Sequence, residues 1–183
     1  MGFCGGYQML GESISDPEGV EEGGTIRGLG LLPVNTVLRG NKTTLQTEGE
    51  FAQVEGFFSC LSGRKLKGYE IHMGETALTG GGRAFVRLEA PRTKDGREDT
   101  ALREDGAICG DVCGSYVHGI FDGGDVAYRI SKALADRKGV LLETPGEGDY
   151  QSFKESQYDL LAQEMRKHMD MKAVYAMLRD AAI

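Results

Sequence analysis

The sequence predicts a mixed α/β fold, and three observations carry that expectation. Apolar, β-rich stretches recur between residues 31 and 118, while the last third of the chain follows helical periodicity. A Gly-Phe-Cys-Gly-Gly segment joins a short apolar start, Met1-Gly2-Phe3, to a helical pattern, which reads as a strand turning sharply into a helix. The 28 glycines among 183 residues cluster in turns and near such motifs, without a repeat.

Each element follows in order. Residues 1–4 read as the end of a strand. Tyr7, Leu10 and Ile14 share helical phase, so a short helix is expected over residues 7–14. Asp16-Pro17-Glu18-Gly19 is a turn, and residues 21–30 read as a glycine-rich loop. Strands are expected over residues 31–38, 43–54, 65–76 and 83–89. Residues 90–105 are charged, contain Pro91 and read as a loop. Residues 107–118 suggest a strand pair or a bent strand. Val126, Ile130, Ala133 and Leu134 mark an amphipathic helix. Ser152 and Glu155 have capping-box spacing and are expected to open the next one, whose apolar face is Tyr158, Leu161, Met165 and Met169. Asp170 is placed to cap a last helix carrying Val174, Met177 and Leu178. Core packing is the expected role of these Met and Leu stripes.

Composition limits the partners. Hydrophobic residues reach 40%, enough for a core, and the net charge of −7 argues against nucleic acid, which needs clustered Lys and Arg. No apolar run is long enough to span a bilayer, and no basic stretch precedes a hydrophobic one at the start, so no membrane partner and a cytoplasmic location are expected. The four cysteines, Cys4, Cys60, Cys109 and Cys113, lack CxxC spacing and are expected as reduced thiols. Cys109 and Cys113 lack the two further ligands that a metal site would need, so no metal is expected.

Cys4 is the candidate nucleophile. Glycines two residues before and two after it allow the close approach that a tight strand-to-helix turn demands. A helix N-terminus beneath the side chain favours the thiolate, the reactive form of cysteine. The N–H of Gly5 is then placed to donate to an oxyanion. A cysteine nucleophile needs a base close in space, and the chain offers His72, His118 and His168. His118 ranks first, at the end of an apolar strand before Gly119. His72, inside Tyr-Glu-Ile-His-Met-Gly, ranks second, as a structural histidine or a lining of the substrate site. His168 reads as a solvated helix-end residue.

At this point the residues resemble a family. Gly2-Phe3-Cys4-Gly5-Gly6-Tyr7-Gln8-Met9-Leu10-Gly11 is similar to the nucleophile segment of class I glutamine amidotransferases. Asp16–Val20, Gly28–Leu32, Gly68-Tyr69-Glu70-Ile71-His72-Met73-Gly74 and Gly114-Ser115-Tyr116-Val117-His118-Gly119-Ile120-Phe121-Asp122 follow in the order seen in the glutaminase domains of cobyric acid synthases, and the tail around Tyr158–Leu161 and His168–Met171 resembles them too.

The resemblance covers residues 1–183 as one partial glutamine amidotransferase domain. It implies a class I amidotransferase-like, flavodoxin-like open sheet with flanking helices, incomplete at its N-terminal side. It implies that Cys4 attacks the side-chain amide of glutamine, that His118 moves the proton, and that Gly5, Gln8 and His72 serve substrate binding. It implies no cofactor in this chain. ATP and Mg2+ belong to an absent synthetase domain, through which a corrinoid carboxylic acid would be amidated on the route to cobalamin. The expected partners are glutamine and that synthetase domain or a missing N-terminal half.

Two departures qualify the likeness. Many class I amidotransferases place Glu two residues after the catalytic His, where this chain has Ile120. Cobyric acid synthases resemble this chain in that respect, which leaves a Cys–His dyad, with Asp122 a weak candidate for a third group. The chain also begins three residues before Cys4, so the strand into the elbow and the loop expected to supply a second oxyanion donor are missing. A fragment is expected, with unpaired sheet edges and poor glutaminase activity alone. The competing readings are an inactive or complementing fragment, an amidotransferase for another carboxylic acid, and a stand-alone thiol hydrolase.

Overall fold

The structure is a computed structural model and describes residues 1–90, 102–142 and 150–180. The chain divides into two compact units, Met1–Glu143 and Thr144–Ile183.

In the first unit, β1 (Gly2–Phe3) leads through Cys4 into α1 (Gly5–Leu10). Then come β2 (Ser13–Asp16), β3 (Gly24–Arg27), β4 (Val34–Phe51), a 3-10 helix (Gly56–Leu61) and β5 (Lys65–Leu78). The unit continues with β6 (Val86–Glu89), β7 (Leu102–Asp105), β8 (Ala107–Cys109), β9 (Val112–Ser115), β10 (Val117–His118) and α2 (Val126–Lys138). The α/β expectation holds: two sheets carry helices beside them. One sheet has the order β1-β9-β8; the other runs β10-β5-β4-β2-β3, with β6 on β4 and β7 on β6. Pairing is parallel for β1 with β9 and for β2 with β4, and antiparallel elsewhere.

Several local expectations yield to long-range pairing. The helix over residues 7–14 stops at Leu10, because the N–H groups of Leu29, Leu31 and Leu32 reach the carbonyls of Met9 and Leu10 at 2.8–2.9 Å. Ile14 instead lies in β2, opposite Ile26 and Thr36. The glycine-rich loop contains β3, which finds a partner in β2. The two strands expected over 31–38 and 43–54 are one, β4, and the gap between them is a register shift against β5 between Leu38 and Thr43. The last part of the charged loop, Leu102–Asp105, is β7 on β6; residues 91–101 lie outside the described residues.

Two cores result. The larger gathers Phe51, Phe58, Leu61, Phe85, Leu88, Val117 and Val126 between the long sheet, the 3-10 helix and α2, with Ile130 packed against it. The smaller, beneath the elbow, holds Tyr7, Leu32, Val34, Ala107 and Tyr116. Asp16 organises the loop after β2: its carboxylate accepts the N–H groups of Val20, Glu21 and Gly23 at 2.8–2.9 Å. Those bonds, Glu21 first, hold its pKa below the usual carboxylate value.

The second unit contains α3 (Tyr150–His168) and α4 (Met171–Asp180). Ser152 does not open α3 as a cap, since the helix begins at Tyr150. Asp170 does cap α4, accepting the N–H groups of Lys172 and Ala173 at 3.0 and 3.2 Å. Within this unit the Met and Leu stripes build no core: Leu161, Met165, Met177 and Leu178 are exposed. A stripe at helical spacing marks a face that could be buried, and burial needs a further layer.

Candidate active site

Cys4 sits at the turn between β1 and α1. Its backbone has φ 51° and ψ −118°, and it is the only non-glycine residue with positive φ among the described residues. An L-residue held there stores about 1–3 kcal/mol of strain. Neighbouring contacts impose it. β1 pairs with β9 through Gly2–Gly114 and Phe3–Ser115, and the Cys4 N–H donates to the Ser115 carbonyl at 3.1 Å. The Gln8 N–H then closes on the Cys4 carbonyl at 3.1 Å. The turn is tight enough to exclude side chains around it. A Cβ on Gly2 would come within 2.7 Å of the Gly6 carbonyl oxygen, and one on Gly114 within 2.4 Å of the Tyr7 ring. Gly5 opens α1, so its N–H has no intrahelical acceptor, and no atom lies within 4 Å of a Cβ placed on it.

Cys4 and His118 converge on one stretch of β5. The Cys4 thiol donates to the Ile71 carbonyl at 3.4 Å. His118 ends β10 opposite Tyr69, and the two rings stack with centroids 5.1 Å apart. His118 Nε2 is buried and has no hydrogen-bond partner among the described residues. The thiol therefore points at the Ile71 carbonyl and not at His118. An edge contact of Phe3 with Phe121, 5.6 Å between centroids, further ties the elbow to the segment after the histidine. Ile120 is buried in the larger core, and Asp122 lies on the exposed turn that its N–H closes onto the Gly119 carbonyl at 2.9 Å.

Gln8 and His72 meet through a residue that the sequence reading did not single out. The Gln8 side-chain amide donates to the Tyr116 hydroxyl at 3.2 Å, and the His72 ring stacks on Tyr116 with centroids 3.7 Å apart. His72 Nδ1 donates to the Gly74 carbonyl at 2.8 Å, and burial pushes its pKa down against that bond. His168 ends α3 exposed, 3.4 Å from Glu164.

Behind the histidines lies a charged cluster that was also missed. Glu70, fully buried, is paired with Arg103 and stands 4.0 Å from His72 Nε2. Burial raises the Glu70 pKa while Arg103 opposes the rise. Arg103 also approaches Asp105 at 3.8 Å, and Asp105 accepts the Ser115 hydroxyl at 2.9 Å. Glu70 and Tyr116 both lie in the quoted motifs, so the signal was present; what it lacked was a partner. All four cysteines are free, and burial pushes the Cys113 thiol up to about 12. Among the described residues no group of His, Cys, Asp or Glu side chains is arranged to hold a metal ion, and no helix is long and apolar enough to cross a membrane.

A strained cysteine between strand and helix, with a histidine ending a strand nearby, defines an α/β domain of the cysteine-elbow class. Comparison with known proteins narrows this further. Residues 1–126 match the CobB/CobQ-like glutamine amidotransferase domain, and the chain belongs to that family. It is 41% identical to the cobyric acid synthase of Lachnoclostridium phytofermentans over 98% of this chain and 35% of the relative. It is likewise 41% identical to that of Ruminiclostridium cellulolyticum over 98% of this chain and 34% of the relative. The cobyric acid synthase of Citrobacter koseri is 40% identical over the same shares, 98% and 34%. The chain therefore spans about a third of the length of these curated relatives.

Proposed function

We propose that this chain is the glutaminase part of a cobyric acid synthase. The strained Cys4 at the elbow carries the reading, because it holds a nucleophile beside a free backbone N–H on Gly5. Cys4 gives its proton to His118 and attacks the side-chain carbonyl carbon of glutamine. The Gly5 N–H donates to the oxyanion that forms. His118 returns the proton to the leaving nitrogen, the C–N bond breaks, and ammonia departs from a γ-glutamyl thioester. Water, deprotonated by His118, then cleaves the thioester to glutamate and restores the thiol. For the first step the thiol leaves the Ile71 carbonyl, to which it donates at 3.4 Å, and turns to His118.

The ammonia is consumed by an ATP- and Mg2+-dependent synthetase part outside this chain. There it amidates the b, d, e and g carboxylates of adenosylcobyrinic acid a,c-diamide. The name shared by the relatives supports that acceptor.

The test is glutamate release from glutamine by the chain, alone and with a synthetase part from a relative. Slow release alone, faster release in the mixture, and none from Cys4→Ala or His118→Ala are expected. Release that survives Cys4→Ala, or a Cys4 that reacts with general thiol reagents but never with a glutamine-derived electrophile, sinks the proposal.

A further inference from the structure

Three sequence blocks far apart in the chain meet at the Tyr116 hydroxyl. From the elbow helix comes Gln8, whose amide donates to it at 3.2 Å across 108 residues of sequence. From β5 comes Thr76, whose hydroxyl lies 2.6 Å away and is itself 2.7 Å from Thr36 on β4. The Tyr116 ring is fixed on both sides: His72 stacks at 3.7 Å, and Tyr7 meets it edge-on at 5.3 Å. Tyr116 is 3% exposed and Thr36 1%. Gly74 keeps the space open, since a Cβ there would lie 2.5 Å from the Gln8 amide nitrogen and 2.9 Å from the Tyr116 oxygen.

A phenol has one proton and two lone pairs. The Tyr116 oxygen accepts from the Gln8 amide and shares a second hydrogen bond with Thr76, which is bonded in turn to Thr36. The Gln8 amide is thereby held with its nitrogen inward and its carbonyl oxygen away from Tyr116. An outward carbonyl oxygen, one helical turn beyond Cys4, is an acceptor suited to the ammonium group of an amino-acid substrate.

We propose that Tyr116 is a positioning residue: it fixes the orientation of the Gln8 amide and so sets the affinity of the Cys4 site for glutamine. The inference rests on the glutaminase reading above. It gives His72 a role one step removed from substrate, as the clamp on the Tyr116 ring.

The experiment compares two alkylating agents on the whole chain. A diazoketone analogue of glutamine must be recognised before it labels Cys4; iodoacetamide needs only the thiol. Tyr116→Phe is expected to raise the half-saturating diazoketone concentration about three- to tenfold, the scale of one neutral hydrogen bond. The iodoacetamide rate at Cys4 stays at the wild-type value, while the melting temperature falls by a few degrees because Gln8 and Thr76 lose a buried partner. Thr76→Val, which leaves Tyr116 intact, shifts the diazoketone in the same direction by less. An unchanged half-saturation in Tyr116→Phe overturns the proposal, as does equal slowing of both reagents, which marks a general structural role. If the wild-type chain shows no saturable diazoketone labelling, the glutaminase reading itself fails and takes this inference with it.

Discussion

Tyr69 lies flat against His118, with ring centroids 5.1 Å apart and planes within 8° of parallel. Strand pairing puts them side by side, and Tyr69 is 46% exposed, so it shields one face of the imidazole from water. An aromatic pair of this kind contributes roughly 0.5–1.5 kcal/mol beyond its buried area. Tyr69→Ala is therefore expected to lower glutamate release about two- to tenfold, with Tyr69→Phe close to wild type. Equal losses in the two variants would assign the effect to the hydroxyl and not the stack.

The strain at Cys4 makes an unusual stability prediction. Alanine normally stabilises by about 0.5–1 kcal/mol over glycine, because glycine loses more freedom on folding. At φ 51° the order reverses, since only glycine adopts this backbone without cost. Cys4→Gly is expected to be about 1 kcal/mol more stable than Cys4→Ala in urea denaturation, and both release no glutamate. A Cys4→Ala variant more stable than Cys4→Gly would show that the elbow is relaxed in solution.

Asp16 ties stability to acid. Its folded pKa is held down by backbone N–H groups, so its contribution is complete above the usual carboxylate pKa and disappears as the pH falls through the depressed value. Asp16→Asn keeps one acceptor oxygen, so either the Val20 bond or the pair from Glu21 and Gly23 is lost. A melting temperature several degrees below wild type is expected at neutral pH, with the two curves converging in strong acid. A gap that persists unchanged in acid would point to packing instead of charge.

Glu70 behaves in the opposite sense. Burial raises its pKa, so an ionised Glu70 costs stability as the pH rises above the ordinary carboxylate value, and Arg103 offsets that cost. Arg103→Ala removes the offset. Breaking a fully buried pair costs about 3–5 kcal/mol, and with Arg103 36% exposed about 1–3 kcal/mol is expected. The deficit against wild type is largest at neutral pH and narrows on mild acidification, as Glu70 takes up a proton. Thermal melts across that range measure it, and a deficit that grows in acid would contradict the assignment.

Local signals were legible where the physics is local. Gly2 and Cys4 announced a tight turn because the constraint lies within a few residues, whereas Gly6 has open space where a Cβ would stand. Asp170 announced a cap because its acceptor serves N–H groups two and three residues on. The helix α2 carried its own periodicity. β3 and β7 were invisible because a polar, glycine-rich or charged segment becomes a strand only when an edge is there to receive it.

The candidate site divides the same way. Cys4, Gly5, His72 and His118 could be named from motif chemistry, and Gln8 from the family resemblance, for the sequence specifies which reactive groups exist and the backbone freedom around them. Which of them touch was decided by the tertiary structure. Strand pairing put Cys4 and His118 on the same stretch of β5, set Tyr116 between Gln8 and His72, and brought Arg103 to Glu70 from 33 residues away. The reason is physical: a hydrogen bond or ion pair between distant residues leaves no periodic trace in either segment, and exists only once the sheet has set their register.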